Sequence, residues 1–561
     1  MTRRIHRLGE RLGTDHTLAV GDVIGGIDVG SNAARLKLVR LLDDGAFEQV
    51  HQERDPVRPG EGIWDTGAMP EPVVERLVLA LERYAALCRV HRAVHVRAVA
   101  TSAVREAKNR DEVVAEVRAR CDLDLEVISG LEEARLIGLG VFRGLPAKAR
   151  SLLIDIGGGS TEVARGEGED PLELWSMPLG AVRLTEIFGT ANRVTREQLV
   201  AMRRYAQRIV SEALPSPIKQ APKHAIGSSG TVRAVCAFAA PPGSSHATRE
   251  HLTRAVEELV GMSIATRRKR FDAQRAEVVI AGAVILESIA FHLRLESVTA
   301  VDGGLKEGLL VDLVHRSSER RTDPLLSDAV VEAGRRFGFD EAHGIHTRNT
   351  ALALFDQLGS VHELPTESRL ILEVAAVLHD AGYMVSSNRH HKHSMYLIQN
   401  MDVPGISDRE RTLAALVARF HRRSPPTKDH PDLVGLDPTE RRAVRGLTTL
   451  LRIADATDQS HQSAVGGVRV HDDGTTTTVT LHPVSGQTLE AFEYEGLRSL
   501  FRSFFGRRLE LVIGSPSRRK RSSSRHCRHC RRHRHRRHPP PKQHRRSRQR
   551  ALRRSQGWPC T

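Results

Sequence analysis

At 561 residues the chain exceeds what one hydrophobic core holds, and a prior of ~100–200 residues per domain gives three or four units. Its 40% hydrophobic and 27% charged composition is that of an ordinary water-soluble protein. It has no run of about 18 uncharged apolar residues to cross a membrane, and the net charge of +16 does not mark the body as a nucleic-acid binder, because Ser515–Thr561 carries 16 Arg and 2 Lys with no acid, or +18, leaving residues 1–514 at −2.

The basic start, Met1-Thr2-Arg3-Arg4-Ile5-His6, lacks the apolar stretch and small-residue cleavage site of a secretory signal, and residues 1–21 read as a loose leader. Residues 22–145 alternate strand and helix patterns. "VIGGIDVG" and "ARLKLVRLL" predict a hairpin, "PVVERLVLALERYAALCRV" an amphipathic helix, and "AVHVRAVATSAVREA" a strand entering a loop and helix. "LDLEVISGLEEARLIGLGVF" predicts a strand, a turn and a helix. Residues 146–316 predict a second such unit, with a strand "HAIGSSGTVRAV" and helices "REHLTRAVEELVGM" and "AEVVIAGAVILESIAFHL". Strands interleaved with helices argue for α/β units.

The polar linker "HRSSERRTDP" precedes residues 325–512, which are mostly helical in pattern and end in a short β-like piece, "GVRVHDDGTTTTVTLHPV", and a final element near Val512. The tail, 515–561, has too few apolar residues to fold alone. It reads as a solvated basic appendage, with a nucleic-acid, polyphosphate or membrane-surface tether as the alternative. Its abrupt composition also fits a shifted reading frame. Cys527-x-x-Cys530 with His526 and His529 resembles half a zinc site, without the second pair that would complete it. Cys88, Cys121 and Cys236 are scattered through the body, which suits a reducing cytoplasm rather than a disulfide framework.

The chemistry concentrates in glycine turns. "LLIDIGGGSTEVARG" runs an apolar strand into Asp155, then Gly157, Gly158, Gly159, Ser160, Thr161 and Glu162. Glycines let backbone N–H groups approach a phosphate that a Cβ would block. A carboxylate at the strand tip suits Mg²⁺ shared with phosphate oxygens. "GGIDVGSNAARLKLV" repeats the plan with Asp28, Gly30, Ser31 and Asn32. The two acids lie 127 positions apart, one at the head of each α/β unit, so a duplicated fold would set the hairpins face to face across one phosphate chain. A third glycine turn, Gly227-Ser228-Ser229-Gly230-Thr231, has the same donor-rich character.

Taken together the turns resemble the duplicated actin, ribonuclease-H-like and sugar-kinase ATPase-type fold. "DVGSNAARL", "VATSAVREAKN", "VISGLEEARLIGLGV", "LLIDIGGGSTEV", "IGSSGTVRAV", "RAEVVIAGAVIL" and "VDGGLKEGLL", in that order, resemble the exopolyphosphatase and guanosine pentaphosphate phosphatase family within it. That resemblance implies a cytoplasmic, homodimeric, Mg²⁺-dependent hydrolase acting on inorganic polyphosphate. The same cleavage of guanosine pentaphosphate is the alternative, and a protein that only binds polyphosphate or nucleic acid a distant one. It implies Glu133, the second acid of Glu-Glu-Ala-Arg, as the base that directs water, with Glu132 an ordinary first-turn acid. It also implies Arg105 as a phosphate clamp, Asp28, Asp155 and Glu162 around Mg²⁺, and the glycine turns as phosphate donors. Ala33-Ala34 and Leu131 depart from the family's usual residues, yet neither departure falls on an acid or a glycine.

In the helical region His343, the His379-Asp380 pair, His421 and Asp455 resemble the metal site of HD-like phosphohydrolases, an all-α extension of this family. Imidazole and carboxylate mixtures suit Mn²⁺, Fe²⁺ or Zn²⁺. The alternative is an accessory region that lines a polyphosphate channel, in which the basic "SSNRHHKHS" (with His390, His391 and His393) and "FHRR" stretches would touch the anion.

Overall fold

In the computed structural model the described residues are 18–515, apart from 44, 220, 318–323, 424, 428–429 and 485–494. The tail and most of the leader lie outside them. Among the described residues no helix is long and apolar enough to cross a membrane.

The first sheet has five strands: β1 (Val23–Val29), β2 (Ala34–Leu41), β3 (Phe47–Asp55), β4 (His95–Ala100) and β5 (Leu125–Val127). Their order is β3-β2-β1-β4-β5, with β1–β2–β3 antiparallel and β4 and β5 parallel to β1. Every residue of β1 is buried, as a central strand rich in Val and Ile requires. Polar β3 forms the edge. Helix α1 (Glu71–Val90) covers one face through Val73, Leu77, Leu81 and Tyr84. Helix α2 (Gly130–Phe142) starts at Ser129, whose side chain accepts from the Glu132 N–H at 3.1 Å.

The second sheet repeats the plan. Strands β6 (Arg150–Ile156), β7 (Thr161–Glu167), β8 (Asp170–Met177), β9 (His224–Ser228), β10 (His246–Thr248) and β11 (Ser297–Ala300) run in the order β10-β11-β9-β6-β7-β8. β6 pairs antiparallel with β7 and parallel with β9, as β1 pairs with β2 and β4. This shared strand order is the duplicated actin-like α/β fold expected from sequence. The segment read as one strand, "HAIGSSGTVRAV", is instead β9 followed at once by helix α3 (Ser229–Ala239). Ser229, at φ 74°, makes the turn between them.

Helix α4 (Leu305–Ser317), read as the end of the second unit, returns to the first. Leu310 and Leu313 pack against Ile24 and Val39 there. It also crosses α2 closely, because a Cβ on Gly140 would lie 2.6 Å from the Gly308 nitrogen. Only glycine permits that approach.

The extension is helical as expected: α5 (Glu341–Gln357), α6 (Ser368–Leu378), α7 (His390–Asn400), α8 (Asp408–Arg419) and α9 (Pro438–Ala456) share one apolar core. A mixed sheet of β12 (Val465–Asp472), β13 (Thr476–Pro483) and β14 (Arg508–Ile513) closes it, with helix α10 (Glu495–Phe505) before the last strand.

Candidate active site

The two hairpins close in the same way. Gly30 N donates to Ala33 O at 3.1 Å in the first, and Gly157 N to Ser160 O at 2.9 Å in the second. They do face each other: a Cβ on Gly158 would lie 2.9 Å from Ser31 Cβ and 3.4 Å from Asn32 N. Gly159 is hemmed in by Trp64, Ser31 and Ser102. The stripped turns therefore serve two ends, close approach of loop to loop and exposure of backbone donors.

Between them opens a cleft of about 470 Å³ whose lining includes Asp28, Asp155, Glu133, Ser31, Asn32 and the 157–160 turn. The twins differ across the register. Asp28 stands opposite Arg35, whose Nη1 donates to its Oδ2 at 3.0 Å, whereas Asp155 stands opposite Glu162. One hairpin is charge-balanced and the other carries two acids.

Glu133 sits in the first turn of α2, 6% exposed. Burial pushes its carboxyl up to about 7, against the pull of Arg105. Asp155, buried and bonded by Ser228 Oγ, is pushed up to about 6. Glu162 is fully enclosed; burial first, then the Glu133 and Asp155 charges, raise it well above the carboxylate range. Ser176 Oγ donates to its Oε1 at 2.9 Å, while Oε2 has no hydrogen-bonding partner among the described residues.

Such a cluster of buried acids, with one orphaned oxygen and Arg35 and Arg105 as the close cations, fits a divalent cation. Asp28 and Asp155 reach the cleft and would hold Mg²⁺, with Glu162 Oε2 behind them as a third oxygen.

Not every expected residue faces the cleft. Arg105 lies behind Glu133: its Nη1 donates to Glu133 Oε2 at 3.1 Å and to Ile128 O at 2.8 Å, beside a smaller hollow of about 280 Å³. Thr161 spends its hydroxyl on Leu179 O. Gly227 is packed under Val232, so it makes room for side chains rather than phosphate. Ser228 serves Asp155, while Ser229, Gly230 and Thr231 line the cleft as the first turn of α3, a helix N-terminus rather than a third hairpin.

Sequence reasoning missed the cations. Arg35 and Lys37 alternate on one face of β2, Arg275 donates to Thr231 Oγ1 at 2.8 Å, and Lys306 and Arg233 complete the lining. The period-two spacing of Arg35 and Lys37 was a readable signal. Arg275 and Lys306 stand inside the family-like blocks "RAEVVIAGAVIL" and "VDGGLKEGLL", but no spacing placed them at the cleft, because remote segments deliver them.

Glu132 is no surface acid. It takes Arg135 at 2.7 and 2.9 Å and the Gly405 N–H at 2.6 Å, within a buried network with Arg97 and Asp312. In the extension, His343, His379, Asp380, His421 and Asp455 converge as expected, and His390 joins them. His390 and His421 thus point into the extension and are not available to line an anion channel.

A family model described as "Ppx/GppA phosphatase family" matches residues 38–317, and one described as "Ppx/GppA phosphatase, domain III" matches residues 327–489. The chain is 30% identical over 446 residues to the guanosine-5'-triphosphate,3'-diphosphate pyrophosphatase of Aeromonas hydrophila, covering 76% of this chain and 86% of that one. To the protein of the same name from Vibrio vulnificus it is 29% identical over 404 residues, 71% and 80% of the two chains. The solved structure of an exopolyphosphatase from Cytophaga hutchinsonii is 25% identical, with a TM-score of 0.47 over 52% of this chain and 98% of that one. With its acid-and-glycine hairpins, its buried Glu133 and these matches across both regions, the chain belongs to the Ppx/GppA phosphatase family of phosphoanhydride hydrolases.

Proposed function

We propose that the chain hydrolyses the terminal 5′ phosphoanhydride of guanosine 5′-triphosphate 3′-diphosphate and releases orthophosphate. The sequence alone put inorganic polyphosphate first. The names of the relatives that span most of the chain favour the guanosine substrate and reverse that order. One observation carries the chemistry: Glu133, a buried carboxylate with a pKa near neutrality, opens onto the cleft between two phosphate-sized glycine turns.

In this reading the N–H groups of both hairpins and of the α3 start grip the terminal phosphate, and Arg35, Lys37, Arg275 and Lys306 neutralise the rest. Glu133 accepts a proton as a water oxygen forms its bond to the terminal phosphorus. The bridging P–O bond breaks, its electron pair stays on the departing chain, and the proton later leaves with product. Arg105 holds the Glu133 carboxylate in place. Bound Mg²⁺ supplies charge neutralisation at the phosphate oxygens.

Inorganic polyphosphate is the second reading, favoured by the row of cleft cations, which suits a linear polyanion. Orthophosphate release from both substrates by the full chain, compared as kcat/KM, tests the order. A higher kcat/KM on polyphosphate reverses it, and no release from either sinks both.

A further inference from the structure

In the second glycine turn the carbonyls of Gly157, Gly158 and Gly159 are all bound. Ala181 N–H donates to Gly157 O at 3.0 Å, and the Val182 and Arg183 N–H groups donate to Gly158 O at 2.8 and 3.0 Å. These are the first three backbone donors of the helix Ala181–Phe188. The fourth, Leu184 N–H, closes that helix onto Gly180 O at 2.9 Å, so the helix start has no backbone donor left for Gly159 O. The Arg183 side chain supplies one instead, through Nε at 2.7 Å.

The amide ends of the same peptides are free. The Gly158, Gly159 and Ser160 N–H groups have no acceptor among the described residues. A trans peptide sets its N–H opposite to its C=O. Carbonyls drawn toward the helix therefore turn these three amides away from it, in a turn that lines the cleft. Backbone hydrogen bonds alone fix two of the three peptides. The third, which aims the Ser160 N–H, depends on one side chain.

Arg183 is held rigidly for that task. It is buried, and its guanidinium lies 5.0 Å from the centre of the Trp64 ring, which itself packs against Gly159. Nη2 donates to Ser102 Oγ at 3.3 Å and to Glu106 Oε1, and Ser102 Oγ donates to the same Glu106 oxygen at 2.8 Å. Both partners sit on the short helix Ser102–Glu106 of the first α/β unit, which also carries Arg105, the residue bonded to Glu133. One guanidinium thus joins the glycine turn of the second unit to the segment behind Glu133 in the first. Glu106 balances its charge, and Arg183 does not line the cleft, so it is not one of the cations that meet the anion there.

We infer that Arg183 is a positioning residue for the phosphate-gripping turn: by holding the Gly159 carbonyl it aims the Ser160 N–H at the terminal phosphate, and through Glu106 it keeps that donor in register with Glu133. The inference rests on the reading of the cleft as a terminal-phosphate site. A planar fork that reaches three separate acceptors is a task for arginine, which the single ammonium of lysine does not reproduce.

The test compares Arg183→Ala, Arg183→Lys and Glu106→Ala with wild type in the full chain, each checked for native circular dichroism. Orthophosphate release from guanosine 5′-triphosphate 3′-diphosphate should fall about 100-fold in kcat/KM for both Arg183 variants, the scale of a roughly 1 Å misplacement at a reacting centre. Arg183→Lys close to wild type overturns the inference, because charge alone then suffices. Methylguanidinium should raise the turnover of Arg183→Ala and methylammonium should not, a selectivity that a merely structural role lacks; no difference between the two overturns the inference. The Glu106 side chain is 34% exposed, so Glu106→Ala spares the fold and should lower kcat about tenfold. An unchanged kcat there overturns the inference, and this variant decides alone if the Arg183 variants do not fold. Calorimetry with tripolyphosphate separates this inference from the proposed function. If wild type releases no phosphate from either substrate, that function falls, yet weaker tripolyphosphate binding by Arg183→Ala than by wild type upholds the inference, and equal binding overturns it.

Discussion

Replacing Glu133 by Gln removes one charge and little else. The amide oxygen can still accept from Arg105, so the start of α2 keeps its anchor. The wild-type carboxyl is raised from 4.5 to about 7, and that shift corresponds to roughly 3 kcal/mol against ionisation. A base at about 7 is roughly 3% ionised at pH 5.5, whereas one at 4.5 would be roughly 90% ionised there. Wild-type kcat/KM for orthophosphate release should therefore climb about 30-fold from pH 5.5 to a plateau above pH 8. Glu133→Gln should lose about 10²–10⁴-fold at the plateau and lose the slope as well. The sign for stability is opposite. The raised carboxyl favours folding below its unfolded value of 4.5, and that contribution is lost as pH rises through about 7. In EDTA the variant should thus melt above wild type at pH 8.5 and near it at pH 5. A flat wild-type profile between pH 5.5 and 9, or a variant within threefold of wild type, refutes the assignment of Glu133 as base.

Asp155→Asn should raise the Mg²⁺ concentration needed for half-maximal phosphate release, which a metal titration reads directly. Gly158→Ala puts a methyl 2.9 Å from Ser31 Cβ and should wedge the hairpins apart, cutting kcat/KM about tenfold or more while Tm falls little. Asp312→Asn removes the shared acceptor of Arg97, Arg135 and Arg316, at 2.5–2.6 Å each, and should cost about 3–5 kcal/mol, read as a lowered Tm. A chain ending at Ser515 should keep full turnover, whereas a basic tether would lose its binding with the tail.

What the sequence disclosed followed from how local each signal was. An apolar run, an acid and glycines are contiguous, so both hairpins could be read, and strand-helix alternation gave the two sheets. Ser129 before Gly130-Leu131-Glu132-Glu133 is a cap signal and marked the start of α2. The change from β9 to α3 at Ser228–Ser229 was hidden because "HAIGSSGTVRAV" keeps apolar and β-branched residues across the break, and its turn is made by a serine at positive φ. The inward turn of Arg105 and the enclosure of Glu162 depend on long-range packing, which no spacing records. Arg275 and Lys306 come from segments about 120 and 150 positions beyond the Asp155 turn and meet it only in three dimensions. In the extension the residue types were legible, but the place of His390 among them required the helices to be in place.

The hydrogen bond from Gly405 to Glu132 ties the extension to the residue next to Glu133, the proposed base. A shorter descendant that dropped everything after the second sheet would strip that carboxylate of its amide donor and open its arginine cluster to solvent. Loss of the extension would thus leave Glu132 to Arg135 and Arg97 alone, so the appendage contributes one backbone donor to the polar network that abuts Glu133.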